Sequence, residues 1–400
     1  MKRTATALLA LAVLAAPTQA RAGDRAPALP NAKAAIVIDG RNGEVMFAKR
    51  PRARREIAST TKLMTALLTL ERTRPGQVFR ASGYRPAAVE SQIGLRPGER
   101  MRVSDLFEAL MLESANDAAE ALAEGIAGSR AAFVAAMNGR ARELGLHDTS
   151  YANPIGLDDP RNYSTARDLA KLAFALMERP RFARVVDTPV AQLRSGAHPR
   201  TVENRNDLIG AYPFVNGVKT GHTTQAGYVL IGSAQGRAGG RAISVVMGEP
   251  SEEGRDADTL ALLRWGLSRF HRVRVLDRHR PLARAEVEYF DRTAALVPRR
   301  GVVLTLRDGE RVTRRIDAPK RLSGPLEAGA RVGAVTVAVE GERVRTEALV
   351  TTAAVPKAGP LRVLTSALGV PLTILAALAI LIAAALAILR LRVRRKPLKR

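Results

Sequence analysis

Ser59-Thr60-Thr61-Lys62 runs straight into Leu63-Met64-Thr65-Ala66-Leu67-Leu68-Thr69-Leu70, an apolar stretch that stops short of Pro75. The stretch reads as a buried helix with the serine and lysine at its first turn. Residues three apart share one face of a helix, so the two side chains are neighbours in space. The serine also sits at the positive end of the helix dipole, where developing negative charge is favoured. Two further motifs follow in order, Ser114-Ala115-Asn116 and Lys219-Thr220-Gly221. An S-x-x-K or S-x-N arises by chance roughly once in a chain of this length, and a K-T-G in roughly one such chain in twenty. Three in order, each in fitting local structure, carry far more weight than any alone.

The surroundings extend the reading. Ala34-Ala35-Ile36-Val37-Ile38-Asp39 predicts a buried strand. Gly40-Arg41-Asn42-Gly43 supplies a turn, and Glu44 to Ala48 pairs back as a hairpin. Val103 to Leu112 predicts a second helix, and Asn116-Asp117 opens a third over Ala118 to Ala127. Ser114-Ala115-Asn116 therefore lies in a short helix–helix connection. Its polar side chains fit either a cleft or a helix N-cap, and Asp117 fits the cap as well. Ala132 to Leu144 and Ser164 to Met177 predict further helices, the latter with a Ser-Thr cap, around a loop over Pro154 to Tyr163. Gly227 to Gly232 and Arg241 to Met247 predict adjacent buried strands, and Glu253 to Phe270 a closing helix with the single Trp265. Strands at both ends with helices between them predict one α/β unit whose sheet joins both ends.

From about Val273 the texture changes to short alternating runs, such as Val302-Val303-Leu304-Thr305-Leu306 and Val335-Thr336-Val337-Ala338-Val339. Asp308-Gly309 and Glu340-Gly341 provide turns. This predicts a small all-β domain. Thr351 to Pro360 reads as a linker.

Four hundred residues with 46% apolar and 25% charged content suit a globular protein of two or three domains. The net charge of +25 points to an anionic partner. Arginines are spread along the chain with no aromatic interleaving, and aromatic content is only 4%. A base-stacking nucleic-acid platform is therefore disfavoured, and a membrane surface or polyanionic envelope is the better match. Absence of cysteine excludes disulfides, Fe–S clusters and thiolate metal sites.

The termini indicate the compartment. Met1-Lys2-Arg3, an apolar run from Ala5 to Ala16, Pro17 and Ala20-Arg21-Ala22 together read as a secretory signal peptide with its cleavage site. Val363 to Leu389 carries no charge and exceeds the roughly 20 residues that span a bilayer. Arg390, Arg392, Arg394, Arg395, Lys396, Lys399 and Arg400 follow, a cluster that stays on the cytoplasmic side. The expected organisation is a signal peptide over 1–22, a catalytic domain over 23–272 and a β-rich domain over 273–358. A membrane-spanning helix over 361–389 and a basic cytoplasmic tail over 390–400 complete it, with the catalytic domain on the extracytoplasmic, periplasmic side.

The resemblance goes beyond the three motifs. Ser164-Thr165-Ala166-Arg167-Asp168, Asn204-Arg205-Asn206, Val218-Lys219-Thr220-Gly221-His222-Thr223, Ala226-Gly227-Tyr228 and Gly254-Arg255-Asp256 occur in this order. From about residue 30 to 350 the chain resembles the low-molecular-mass penicillin-binding proteins that are D-alanyl-D-alanine carboxypeptidases. The resemblance implies a penicillin-recognising serine-hydrolase fold, with a five-stranded sheet and flanking helices, followed by a β-rich domain. Two departures stand out. The middle motif is Ser-Ala-Asn where the family often has Ser-Gly-Asn, and the chain ends in a spanning helix where many relatives end in an amphipathic one.

The chemistry follows residue by residue. Ser59 is the expected nucleophile, a weak one until a neighbour takes its proton. Lys62 is the nearest base and must be neutral to act, which burial and a second cation such as Lys219 promote. The resemblance implies that Lys219 and Ser114 relay the proton to the leaving amine and that Asn116 holds the substrate amide and orients Lys62. It leaves open which lysine is the base. It also implies oxyanion donors in the backbone N–H groups of Ser59 and His222, and places Lys219, Gly221 and His222 among the substrate-binding residues. Thr220 and Arg255 would bind the terminal carboxylate, and a guanidinium fork suits that task. Arg255 also reads as a surface charge at a helix start. No cofactor and no metal are expected, and no H-E-x-x-H or G-x-S-x-G occurs.

The expected activity is hydrolysis of the terminal D-Ala-D-Ala bond of peptidoglycan stem peptides through an acyl-enzyme, blocked by β-lactams. A D,D-endopeptidase acting on cross-links would use the same residues, and a catalytically silent envelope scaffold would keep the same fold.

Overall fold

The computed structural model describes residues 8–14 and 25–394. The expected cleavage site at Ala20-Arg21-Ala22, the charged start and the tail beyond Arg394 lie outside the described residues. Two compact units account for the chain.

The first unit runs to His271 and includes Thr305–Asp308. Its centre is a five-stranded sheet of β1 (Ala34–Asp39), β2 (Val45–Lys49), β3 (Val215–Thr223), β4 (Gly227–Gln235) and β5 (Arg241–Glu249), in the order β3-β4-β5-β1-β2. Every neighbouring pair is antiparallel. All six residues of β1 are buried, because it lies inside the sheet with helices over both faces. Such strands read as continuous apolar runs rather than alternating ones. One row crosses the whole sheet: Lys219 opposite Ile231, Ile231 opposite Val245, Val245 opposite Ile36, and Ile36 opposite Ala48.

Side chains alternate faces along a strand. Ile36, Ile231 and Val245 join the larger core, which they share with α1 (Lys62–Arg72), α2 (Val103–Met111), α3 (Asn116–Ala127), α4 (Arg130–Glu143) and α5 (Ala166–Met177). Ala35, Leu230 and Val246 join the smaller core under α6 (Glu252–Ser268). Lys219 therefore points to the layer that carries Ser59, and Thr220, opposite Leu230, to the layer of α6. The first eight residues of α1 are all buried. A helix that is apolar all round belongs in the middle of its layer.

The second unit holds Arg272–Leu304 and the chain from Gly309 onward, together with residues 8–14. It is an all-β sheet built on Val312–Ala318, Arg331–Val339, Glu342–Thr351, Thr293–Pro298 and Ala283–Val287. Leu8–Leu14, within the expected leader, lies antiparallel to Val312–Ala318 at the edge of this sheet. The helix Pro360–Arg394 follows, interrupted at Gly369 (φ 74°) just before Pro371. Gly369–Leu391 is long and apolar enough to cross a membrane.

Candidate active site

Ser59 lies in a 3-10 turn, Ala58–Thr61, that passes directly into α1. Ala58 has a left-handed φ of 45°, so the turn holds an unfavourable backbone conformation one residue before the nucleophile candidate. Two glycines make room for it. Gly156 has φ +96°, and a Cβ there would fall 2.0 Å from the Ala58 carbonyl oxygen. A Cβ on Gly221 would lie 3.1 Å from the Ser59 backbone nitrogen. The loop carrying Gly156 is fixed by Asn153, whose Oδ1 accepts from the Gly156 amide at 2.6 Å. Strand β3 and this loop thus enclose the Ser59 amide.

Lys62 is completely buried. Its Nζ is 2.9 Å from Ser59 Oγ, 2.6 Å from Asn116 Oδ1 and 2.6 Å from the Ile155 carbonyl oxygen. Burial first, and then the charge of Lys219, pushes its pKa well below the lysine range; Glu90, Glu120 and Asp117 oppose the shift. Desolvation disfavours an ammonium with no carboxylate in direct contact.

Asn116 is the first residue of α3, and its backbone N–H donates to the Ser91 carbonyl at 2.8 Å. Ser114 holds a left-handed φ of 61°. Its hydroxyl is buried with no hydrogen-bond partner among the described residues. The cap reading of this motif fails. Ala115 occupies the N-cap and no side chain caps the helix. The Asp117 carboxylate accepts from the next amide, Ala118, at 2.9 Å, and also from the amides of Ile93 and Leu95, tying down the preceding loop.

Lys219 is buried, with Nζ 3.1 Å from the Thr220 carbonyl oxygen. Burial, then the charges of Arg205 and Arg255, pushes its pKa down to about 7. Arg255 is not a surface charge. It is 2% exposed, its Nε donates to Asp256 at 2.8 Å and a terminal nitrogen pairs with Glu252 at 2.9 Å. Its guanidinium lies 5.9 Å from the Tyr228 ring centroid, and Tyr228 stacks on the exposed His222 at 4.0 Å. Ser59, Lys62 and Asn116 are in direct contact. Thr220, on the other face of β3, lies toward Arg255 and α6.

Residues 22–251 match the family described as D-alanyl-D-alanine carboxypeptidase. The chain belongs to that family. Residues 270–357 match the C-terminal domain of penicillin-binding protein 5. The carboxypeptidase DacF of Bacillus subtilis is 33% identical over 321 residues, covering 78% of this chain and 82% of the relative. DacA of Escherichia coli is 31% identical over 83% of this chain and 86% of its own length. Penicillin-binding protein 5 of Haemophilus influenzae superimposes with a TM-score of 0.59 at 30% identity, over 83% of this chain and all of that one. The DD-transpeptidase of Streptomyces K15 gives 0.58 at 30% identity, over 61% and 99%. The carboxypeptidase is thus a serine-type peptidase with a penicillin-recognising fold.

Four partners of this carboxypeptidase site escape sequence reasoning. The Ile155 carbonyl has no side-chain identity to read. Arg205 and Tyr228 stand within the motifs that carry the resemblance, yet without a role; the structure sets Arg205 against Glu113 at 3.0 Å and Tyr228 between His222 and Arg255. Glu90 lies in an irregular loop and donates nothing to any spacing pattern, but it accepts from Asn116 Nδ2 at 2.6 Å. Among the described residues no cluster of His, Cys, Asp or Glu suits a metal ion.

Proposed function

We propose that this carboxypeptidase removes the terminal D-Ala from peptidoglycan stem pentapeptides, with Ser59 as nucleophile and Lys62 as its base. The observation that carries the reading is the three-way contact of Lys62 Nζ with Ser59, Asn116 and Ile155. A neutral amine has two N–H bonds and one lone pair. Asn116 Oδ1 and the Ile155 carbonyl are acceptors only, so they take the two N–H bonds. The lone pair then faces Ser59 Oγ at 2.9 Å and accepts its proton.

Attack on the penultimate D-Ala carbonyl puts negative charge on its oxygen. The Ser59 amide, enclosed by Gly156 and Gly221, and the His222 amide of β3 would donate to it. Removing one such donor typically costs about 10²–10³ in rate. The leaving amine needs a proton. Ser114, whose buried hydroxyl has no partner among the described residues, and Lys219, poised near neutrality, suit a relay from Lys62. Water then hydrolyses the acyl-enzyme by the reverse proton path. Arg255 and Thr220 would hold the substrate carboxylate, and His222 with Gly221 would line the bound strand of peptide. β-Lactams present the same amide geometry and acylate Ser59.

The chain is read as exported and anchored. The leader is removed and Gly369–Leu391 crosses the cytoplasmic membrane, as its length and apolar composition allow. The test is mass spectrometry of the purified protein with a D-Ala-D-Ala pentapeptide and with a cross-linked dimer. Release of D-Ala from the pentapeptide is expected. Cleavage of the dimer alone would move the activity to an endopeptidase, and no turnover of either would leave the scaffold reading.

A further inference from the structure

Asn116 has an acceptor end and a donor end. Only one orientation of its amide gives Lys62 an acceptor. With the amide turned over, Nδ2 would face Lys62, and the lysine lone pair would be drawn to it and away from Ser59. Lys62 contacts alone do not choose between the two orientations, because an amine can both donate and accept.

Glu90 chooses. Its Oε2 accepts from Asn116 Nδ2 at 2.6 Å and from the Tyr84 hydroxyl, and its Oε1 accepts from the Ala87 amide at 3.0 Å. A carboxylate offers no donor, so only Nδ2 can face it. Burial raises the Glu90 pKa, but the hydrogen bonds from Tyr84, Ala87 and Asn116 outweigh it and the group titrates below its ordinary value. The next residue reinforces the contact, since the Ser91 carbonyl accepts from the Asn116 backbone N–H at 2.8 Å. One loop therefore grips Asn116 by both its backbone and its side chain.

We infer that Glu90 is a positioning residue for acyl transfer: it locks the Asn116 amide so that the lone pair of Lys62 faces Ser59. This rests on the assignment of Lys62 as base. The charged groups facing Lys62 are Lys219, Glu90, Glu120 and Asp117. Glu120 is paired with Arg130 at 3.2 Å, and Asp117 is held by the Ile93 and Leu95 amides. Around Glu90 stand Tyr84, Asn116 and Lys62, with Arg130 lying 5.9 Å from the Tyr84 ring. Among the described residues, Glu90 is thus an anionic neighbour of Lys62 with no basic side chain in direct contact. Its charge favours the ammonium, so removing it lowers the Lys62 pKa.

The test uses the full-length protein in detergent and the second-order rate of acylation by a fluorescent penicillin as a function of pH. Glu90→Gln keeps the shape and an acceptor for Asn116 Nδ2. It is expected to retain the plateau within about threefold, with the acid limb moved to lower pH. Glu90→Ala frees the amide and is expected to lower the plateau about 10–100-fold, the usual cost of losing a group that orients a reacting one, with the same direction of shift. Two results overturn the inference: acid limbs of both variants coinciding with wild type, or a Glu90→Ala plateau within threefold of wild type. Wild-type protein that forms no adduct would instead overturn the assignment of Ser59 and Lys62.

Discussion

Gly156 lies so close to Ala58 that a Cβ on the glycine would stand 2.0 Å from the Ala58 carbonyl oxygen. Gly156→Ala must push back the residue preceding Ser59, and it also forces alanine into a φ of +96°. Conformations of this kind cost about 1–3 kcal/mol. Displacing a reacting group by about 1 Å can cost about 10²-fold in rate. The expected outcome is a penicillin acylation rate lower by that order and a Tm lower by about 2–4 °C per kcal/mol. Stopped-flow labelling and thermal unfolding measure the two separately.

As the proposed base, Lys62 must be neutral to take the Ser59 proton. Burial holds its pKa well below the lysine range, so acylation is expected to hold to lower pH than an ordinary lysine would allow and to be lost as pH falls through that depressed value. Lys62→Arg replaces the base with a guanidinium that does not deprotonate, and Lys62→Ala removes it. Both should slow acylation by about 10²–10⁴-fold and remove the acid limb. Near-normal acylation in either variant would transfer the role to Lys219 or Ser114.

Lys219 predicts an effect on stability. Its pKa in the folded protein is about 7, far below its unfolded value, so between these values the unfolded chain binds a proton that the folded chain does not. Stability then rises with pH across that window, and the cost is fully present below about pH 7. Lys219→Met should raise Tm near neutrality, with a gain that shrinks toward the ordinary lysine range, while turnover is lost. A gain of equal size at both ends of the range would show that Lys219 is not destabilised by burial.

Termination before Leu361 removes Gly369–Leu391. The truncated protein should be soluble, should leave the periplasm with the soluble fraction and should label with penicillin at the full-length rate. The full-length protein should resist salt and carbonate and require detergent. Release by high salt alone would mean a peripheral, electrostatic attachment.

The legible parts of this molecule are the local ones. Ser59 and Lys62 meet because a helix turn brings residues three apart together, and that follows from sequence alone. Strands Ala34–Asp39 and Arg241–Glu249 announce themselves as apolar runs at opposite ends of the catalytic region. Arg255 is only half legible: a charge beside Gly254 and Asp256 reads as solvated, and its burial follows from the packing of α6 near Tyr228 of β4. Ser114, Asn116 and Asp117 are good caps by type, yet Lys62 and Glu90 claim the Asn116 side chain and the Ile93 and Leu95 amides claim Asp117. Glu90 is invisible because its contact with Asn116 is tertiary and its loop has no period.

Ile36 pairs with Val245 across the middle of the sheet. The amino-terminal strand is therefore translated early but docks only after most of the catalytic region has been made. A sheet wired this way closes late and slowly, because its decisive contact is so distant in sequence. The Ser59 centre is then complete only once Arg241–Glu249 has been made, and chains ending before that strand should not label with penicillin.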